Sequence, residues 1–440
     1  MFERLPQRPP TKAALRPRDL ALCLGLRLRL GLGLGLGLAL GLQACQAPKF
    51  IQRRTLIVYV VPPDSATLSK ATIRSAWDPL LRTYKRLQPN VHINLNIIIF
   101  QEQQLKQELR RRNGRGLGPD LLIVNASTAV DLLNEGLTSK VQVPASVQNS
   151  LLPWVRSRVA VKGGLTALPV AIEPQLSCYN RTRIPTPPAS LKELMALAAK
   201  GRQIGLSIFP QSIWWTTGSL GANQALKQLL ESPASPLEPI DASERSKITA
   251  WLAWLADASH QSHVNFFNND EDLLNGLGNG QLDWISCLSF NLPRLKQLMG
   301  NNLGVASLPA GPNGPASPNS LLRVLAFGIN SSPQMRQLAL DIGNLQLNPL
   351  AQRTQTLNSQ QTLPVNRYAT PPVSSSSRLQ ALVNAQEQFQ QSYLDVGSAM
   401  AINRIEKHTS ELESLFTKLV VDVIKPEQAS KQLINILRKP

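Results

Sequence analysis

The chain has 440 residues, which is long enough for two hydrophobic cores, because single cores stop growing well below that length. With 43% hydrophobic and 17% charged residues, its composition is that of a globular protein and excludes wholesale disorder. The formal net charge of +18 is compatible with a nucleic acid, an anionic membrane surface, an anionic ligand or simply a solvated basic surface. The run Arg110–Arg112 has no interleaved aromatic residues, so it is a poor base-stacking platform, and we predict no nucleic-acid partner.

Residues 1–44 have the layout of a secretory signal. Seven Lys or Arg and two acidic residues stand before Cys45, so this segment carries +5 of the net +18 and leaves +13 on the rest. A basic stretch is followed by thirteen small or apolar residues at 30–42, shorter than the ~20 needed for a membrane-spanning helix. The layout therefore predicts an exported protein.

The end of this segment, Leu42-Gln43-Ala44-Cys45, resembles a bacterial lipobox. The resemblance implies a lipoprotein signal peptide at 1–44, lipidation of Cys45 and a lipidated tether at 45–54. The protein would then be held by its lipid anchor on the periplasmic side of a bacterial membrane. A plain signal peptide, or an uncleaved N-terminal anchor, is the alternative.

Two cysteines remain in the body of the chain, Cys178 and Cys287. In an oxidising compartment they can form a disulfide. They can equally be buried thiols that pack as small hydrophobic side chains. The sequence leaves both possibilities open.

The body begins with an alternation of strands and helices. Residues 56–61 form a short β-branched run typical of a buried strand, and the apolar spacing in 69–87 predicts an amphipathic helix. A second strand is predicted at 91–100, a helix at 101–112 and a third strand at 121–124. This alternation predicts an α/β fold with a parallel sheet.

The same alternation continues through the rest of the chain. Further strands are predicted at 167–179, 204–209, 282–290, 303–308 and 321–330. Further helices are predicted at 190–200, 219–231, 244–259, 292–299, 333–347, 378–391 and 409–437. Loops rich in Pro, Ser and Gly are predicted at 232–241, 309–320 and 369–377.

Several segments resemble the extracellular solute-binding proteins of ABC importers, in particular the maltose-binding-protein-like family 1. Gly118-Pro119-Asp120 with the strand after it, and the later Asn134-Glu135-Gly136-Leu137, resemble one family element. Residues 167–180 resemble the first crossing between lobes, and 278–285 with 304–309 resemble the segment that carries the second. Thr362–Asn366 resembles the element before the C-terminal helices.

The resemblance implies a two-lobe periplasmic-binding-protein fold (class II) with a ligand cleft between the lobes. We expect an N-lobe of 55–169 and 309–365 and a C-lobe of 170–308 and 366–440. It further implies hinge closure around a sugar or polyol and delivery to ABC permease subunits, without catalysis or a cofactor. The alternatives are an envelope lipoprotein of the same fold with no transport role and a binder of an anionic solute.

The candidate polar ligand contacts follow predicted strands. The family places such contacts at the positions of Asn125, Ser127 and Thr128, although Ser and Thr at such a position also cap helices. Asp64 follows the first strand and can accept hydroxyl groups or cap a turn. Glu173 lies in the first crossing, where it faces the ligand or pairs with a nearby base.

The candidate aromatic contacts are Trp214, Trp215 and Phe290. Pyranose rings pack their C–H faces on aromatic faces, and the family has a C-lobe aromatic residue near the position of the two tryptophans. At most one of the two is expected to line the cleft, since core burial is the common fate of Trp. Phe290 stands where relatives often have Trp, which weakens an assignment to maltodextrins.

No Gly-x-Ser-x-Gly motif, no His-Glu-x-x-His motif and no phosphate-binding loop occurs in the chain. The sequence does not exclude a glycosidase pair of carboxylates, because such pairs come from distant positions. His260 and His263 could grip a metal, but two ligands are too few for a site. We therefore predict a binding protein and not an enzyme, with no metal.

Overall fold

The computed structural model describes residues 52–62, 69–231, 240–392 and 405–439 apart from 406. The predicted leader, the lipidation site Cys45, the ligand candidate Asp64 and residues 232–239 of one predicted loop lie outside the described residues.

Twelve strands form within the described ranges. They are β1 (Gln52–Val60), β2 (Val91–Ile99), β3 (Leu121–Asn125), β4 (Thr138–Ser139), β5 (Ala160–Val161), β6 (Gly164–Leu165), β7 (Leu168–Asn180), β8 (Ile204–Ser207), β9 (Val264–Phe267), β10 (Trp284–Leu288), β11 (Leu303–Ala306) and β12 (Ser320–Gly328).

Seventeen α-helices belong to the same ranges. The first nine are α1 (Lys70–Leu87), α2 (Glu102–Asn113), α3 (Ala126–Asn134), α4 (Ala145–Ser150), α5 (Pro153–Val159), α6 (Leu191–Ala199), α7 (Pro210–Ile213), α8 (Trp215–Ser219) and α9 (Asn223–Glu231). The others are α10 (Ala242–Ser259), α11 (Asp270–Gly278), α12 (Leu292–Met299), α13 (Pro333–Gln346), α14 (Pro349–Ser359), α15 (Ser377–Ser392), α16 (Thr409–Val420) and α17 (Pro426–Arg438).

The main sheet has the order β2-β1-β3-β12-β7-β10-β8-β9, with β4 paired to β12 and β11 paired to β7. At one end β2, β1 and β3 are parallel, and at the other end β10, β8 and β9 are parallel. Between them, β12 and β7 pair antiparallel with their neighbours. The α/β class predicted from the sequence is confirmed, and the sheet is mixed because its two central strands run antiparallel to their neighbours.

Strand β7 belongs to both halves of this sheet. Its first part, Leu168–Pro174, pairs with β12, and its second part, Gln175–Tyr179, pairs with β10. All of its residues except Asn180 are buried, because strands and helices cover it on both sides. The chain passes between the halves again at 307–319, from β11 into β12.

Two hydrophobic clusters fill the molecule. The first gathers side chains such as Leu56, Leu121 and Leu325 and continues across β7 to Ile285. The second is rich in tryptophan and contains Trp215, Trp251 and Trp284 with Phe416 of α16.

Within the described ranges, no helix is both long enough and apolar enough to cross a membrane.

Local sequence signals explain where several helices begin. The Ser69 hydroxyl accepts a hydrogen bond from Thr72 N (3.0 Å) at the start of α1. At α6, Ser190 Oγ accepts from Glu193 N, and the Glu193 carboxylate accepts from Ala189 N. This reciprocal arrangement resembles a capping box and fixes the start of α6.

The structure departs from the predicted elements in the C-terminal segment. The sequence predicted one helix over 409–437, but α16 ends at Val420 and α17 begins at Pro426. Asp422 between them has φ 61°, a left-handed conformation that ends a helix, and Pro426 sits in the first turn, where its missing N–H costs nothing.

Helix α9 begins at Asn223 and not at 219, because α8 and a turn at Gly221 (φ 76°) precede it.

Cys178 and Cys287 form a disulfide between the adjacent antiparallel strands β7 and β10, with Cα atoms 5.9 Å apart. Both side chains are buried. Of the two possibilities that the sequence left open, the structure shows the paired form. The bond closes a loop of 109 residues in sequence separation.

We expect removal of this bond to destabilise the chain by about 2–4 kcal/mol, because a crosslink over a long loop restricts the unfolded state. Guanidinium unfolding of Cys178→Ala/Cys287→Ala against the parent measures the loss. A reductant should lower the stability of the parent and leave the double variant unchanged. Free thiols located by alkylation at Cys178 and Cys287 in the oxidised, unfolded parent would contradict the prediction.

Candidate functional site

The candidate site lies at the carboxyl edge of the parallel strands β1, β2 and β3. Val60 pairs with Ile99 of β2 and with Ile123 of β3, so the three strands end close together. Loops at the carboxyl ends of parallel strands are where open α/β sheets bind ligands. The crossing strand β7 and its neighbour β12 border this edge, which therefore adjoins the junction between the halves of the sheet.

A buried ion pair lies at this junction. Arg323 Nη2 of β12 donates to Glu173 Oε2 of β7 at 2.9 Å, and the two side chains are only 11% and 9% exposed. Arg323 Nη1 also donates to the Val61 carbonyl oxygen (3.2 Å), at the end of β1. The β12–β7 register shifts between Arg323 and Val324, an irregularity that re-aims side chains near functional sites.

The predicted polar contacts after β3 fall next to this pair. Asn125 is the cross-strand neighbour of Arg323, so both side chains lie on one face of the sheet. Asn125 occupies the position before α3, but its side chain makes no capping hydrogen bond. Its Oδ1 atom is buried and has no hydrogen-bond partner among the described residues. An unsatisfied buried oxygen of this kind is costly unless a ligand or water donates to it.

Ser127 and Thr128 lie inside the first turn of α3, and neither caps the helix. Thr128 is buried, and its hydroxyl donates to the Glu102 carboxylate at the start of α2. Ser127 is half-buried. The helix starts of α2 and α3 are thereby linked at the same edge, with Asn125 beside them.

The second half of the sheet joins the junction through Gln175 of β7. Its Nε2 donates to the Ser212 carbonyl (2.8 Å), and its Oε1 accepts from Asn319 N (3.0 Å). The Ser212 hydroxyl donates in turn to Asp270 Oδ2 (2.8 Å). These contacts tie β7 to α7, to α11 and to the passage that leads into β12.

The two tryptophans lie in the second hydrophobic cluster. Trp214 is 5% exposed and meets Trp251 edge-on at 6.3 Å between ring centroids. Trp215 is fully buried and lies 5.9 Å from Trp284. Phe290, in the 3₁₀ turn Ser289–Asn291 after β10, is half-buried and so the most accessible of the three aromatic candidates.

Three contributors to the junction were not predicted from the sequence: Arg323, Gln175 and Glu102. Arg323 lies in an apolar strand pattern, where a lone basic residue is the one signal for a buried partner. Gln175 is two residues from Glu173 on a strand, so it lies on the same face. Among the described residues, no group of three or more His, Cys, Asp or Glu is placed to hold a metal ion.

The junction contains buried hydrogen-bonding groups, and most of them already have partners within the protein. Carboxylate, amide and hydroxyl oxygens accept, and amide, hydroxyl and guanidinium groups donate. Such a mixture suits a neutral ligand with several hydroxyl groups, which needs donors and acceptors in fixed directions.

No protein-family model matches the chain. It is similar in fold to the GacH receptor of Streptomyces glaucescens, solved unliganded and with acarbose (14% identity, 87% of this chain and 96% of that one, TM-score 0.65). It is also similar to a cyclo/maltodextrin-binding protein in complex with maltotetraose (14%, 87% and 96%, 0.65). A third structure is an ABC transporter solute-binding protein from Thermotoga lettingae bound with α-D-tagatose (13%, 88% and 100%, 0.63).

The chain has the two-lobe fold of these binding proteins. The similarity covers nearly the whole length of each of them, so the described part of the chain is not a fragment of that fold. At 13–14% identity, the likeness establishes the fold and leaves the ligand to be argued from the site.

We expect Arg323→Met to destabilise the chain by about 3–5 kcal/mol, because it leaves the Glu173 carboxylate buried without its partner. Adding Glu173→Gln should restore part of that loss, since the charge that lacked a partner is then removed. Urea unfolding of the two single variants and the double variant gives the coupling free energy.

The matched control is Arg110→Met, which removes the exposed ion pair with Glu135 (Arg110 is 63% exposed). It should change the free energy of unfolding by about 1 kcal/mol or less. If Arg323→Met and Arg110→Met lowered the free energy of unfolding equally, the buried ion pair would contribute no more to stability than the exposed one.

Proposed function

We propose that the chain is the solute-binding component of an ABC importer, which captures a sugar or polyol between its lobes and delivers it to membrane permease subunits. The role is binding and not catalysis. The protein is exported, and a lipid on Cys45 holds it on the periplasmic side of a bacterial membrane.

The observation that carries this proposal is the polar group set at the carboxyl edge, beside a strand that both halves share. Asn125 offers a buried oxygen with no described partner, and the Glu173–Arg323 pair fixes the frame around it. Ser127 and Thr128 are further polar candidates at the start of α3. The sequence adds Asp64, which follows β1 and lies outside the described residues. The predicted lobe boundaries, 55–169 with 309–365 and 170–308 with 366–440, place this cluster where the lobes meet.

Aromatic contact is assigned to the opposite lobe, from Phe290, Trp214 or Trp215. Of these, Phe290 needs the smallest rearrangement to meet a ligand, because it is already partly accessible. A sugar ring would stack on one aromatic face while its hydroxyl groups reach the polar cluster. Fold similarity to proteins solved with acarbose, maltotetraose and tagatose supports a carbohydrate.

The net charge of +13 after the leader favours a second candidate, an anionic solute. Arg323 does not favour it, because Glu173 already neutralises that side chain. The ligand test therefore includes anions as a separate arm.

The ligand test is a thermal-shift screen of the mature chain, starting at Cys45, against sugars, polyols, amino acids, oligopeptides and anions. A ligand at a hundred times its Kd stabilises the folded state by about 2.7 kcal/mol, which is a measurable shift in Tm. We expect a shift with one class of saccharide or polyol. A shift with anions alone would move the assignment to the second candidate, and silence across the panel would favour an envelope protein without a transport role.

For the ligand so found, Asn125→Ala should weaken binding about two- to tenfold, the value of one lost hydrogen bond. Isothermal titration calorimetry measures the Kd. Asn344→Ala, an exposed asparagine on α13, is the matched control and should leave the Kd unchanged. An equal Kd for both variants would remove Asn125 from the site.

The lipid anchor has its own test. Cys45→Ser should leave the chain uncleaved and unlipidated, because the serine hydroxyl cannot replace the thiol that takes the lipid. The parent should partition into the detergent phase of a Triton X-114 extract and carry the mass of a diacylated cysteine at its N-terminus. A mature N-terminus at any other residue would show a plain signal peptide instead.

A further inference from the structure

The start of β1 and the end of α1 meet at the amino edge of the sheet, opposite the carboxyl edge that holds the candidate site. Gln52 N donates to the Asn90 carbonyl (2.8 Å), and Gln52 pairs with Val91 at the first position of β2. Helix α1 ends at Leu87, three residues before Asn90. The segment that links Cys45 to the folded body therefore enters the described structure beside the end of α1.

Five basic residues lie at the start of β1 or in the last turns of α1, and we call them the basic edge: Arg53, Arg54, Arg82, Lys85 and Arg86. Arg53 and Arg54 are consecutive on β1, so their side chains point to opposite faces of the sheet. All are exposed except Arg54, which is half-buried. Within the described ranges, none of them forms an ion pair. Arg54 and Arg86 donate only to the neutral side chains of Gln52 and Thr83.

The arginines of the neighbouring helix α2, by contrast, form ion pairs. Arg110 pairs with Glu135, and Arg111 and Arg112 both pair with Glu108. The arginines of α2 are thus paired with carboxylates of the same protein. Within the described ranges, the basic edge beside the N-terminal tether has no such ion pairs. Helix α1 carries one acidic residue, Asp78, against five basic ones.

The helix dipole explains only part of this cluster. Lys85 and Arg86 lie in the last turn of α1, where cations compensate the dipole. Arg82 stands a turn earlier, and Arg53 and Arg54 lie on β1, so the dipole gives no reason for them.

Apolar surface lies among these cations. Leu87 is 61% exposed. An open groove of about 730 Å³ is lined by Pro79, Arg82, Thr83, Lys85, Arg86 and Pro89. Basic side chains around an exposed apolar residue are the composition of a surface that binds at the interface of an anionic bilayer.

We propose that the basic edge docks on a phospholipid surface that contains anionic headgroups. The proposal rests on the proposed anchor: Cys45 lies seven residues before Gln52 in the sequence, so an extended tether between these two residues spans at most roughly 25 Å. Docking there turns the carboxyl edge, with the candidate site, away from the membrane and toward incoming solute. The lipid keeps the protein at the membrane, and the basic edge sets its orientation.

Each cation near such a surface changes the docking equilibrium by about fivefold, and salt screens the effect. Removing three of the five should therefore weaken docking on the order of a hundredfold. The variant Arg82→Gln/Lys85→Gln/Arg86→Gln changes exposed side chains only. The matched control, Lys192→Gln/Lys200→Gln/Lys431→Gln, removes three exposed cations elsewhere on the body.

The experiment uses the full chain purified from membranes and reconstituted in vesicles of phosphatidylcholine, with or without phosphatidylglycerol. Flotation reports whether the chain is anchored. Amide hydrogen exchange across 82–92 reports whether the basic edge touches the bilayer. We expect flotation with both vesicles, and protection of 82–92 only with phosphatidylglycerol, lost at high salt and in the α1 variant and kept in the control.

Equal exchange on both vesicles, or equal loss of protection in both variants, would overturn the docking proposal while leaving the anchor intact. Failure to float on neutral vesicles would instead refute the lipid anchor. If residues 82–92 were still protected only with phosphatidylglycerol in that case, the basic edge would remain a membrane-binding surface. Displacement of the chain from vesicles by a single-stranded oligonucleotide that protects the same residues would assign the basic edge to nucleic acid and overturn the proposal.

Discussion

Strand β7 satisfies its backbone hydrogen bonds on three different strands along one continuous run. Up to Pro174 it pairs with β12, and from Gln175 onward it pairs with β10 and β11. A buried strand of this length leaves little room for polar side chains, yet Glu173, Gln175 and Ser177 all point away from water. Each has a defined partner: Arg323, the Ser212 carbonyl with Asn319 N, and the Ser307 carbonyl. The three buried polar side chains of β7 at the junction thus each have specific hydrogen-bond partners.

These specific hydrogen bonds explain why the Glu173–Arg323 ion pair lies at the crossing strand and not in either hydrophobic cluster. A buried carboxylate and guanidinium contribute little net stability compared with apolar packing of the same volume, but each is costly alone. The Glu173–Arg323 pair therefore acts on register: if β7 slipped against β12, both charges would lose their partner. Under the proposed function, a crossing that must return to the same closed geometry gains from such a fixed reference point, whereas apolar contacts alone would tolerate small shifts.

The sequence predicted the framework well because strand and helix signals were local. β7, expected at 167–179, forms at 168–180, and helix 292–299 forms with the predicted bounds. The predictions failed where long-range geometry decides: the break at Asp422 within the last helix depends on one left-handed residue, and the α8–α9 boundary depends on a turn at Gly221. The partner of Glu173 was also out of reach, since Arg323 is 150 residues away and no local pattern links them. The tryptophans, attractive as ligand platforms from sequence, prove to pack against other tryptophans, a contact that spacing along the chain does not reveal.

Charge is distributed unevenly between the two edges of the same parallel strands. At the carboxyl edge, the guanidinium of Arg323 is neutralised by Glu173, and Arg158 donates to the Ser320 carbonyl at the start of β12. At the amino edge, the five cations of the basic edge form no ion pair within the described ranges, although Asp78 lines one groove together with Arg82 and Lys85. Parallel strands make this separation possible, because all of their starts face one way and all of their ends the other. A net positive charge spread at random would serve solubility alone. Under the proposed function, cations placed beside the tether leave hydroxyl recognition at the opposite edge less affected by their electrostatics.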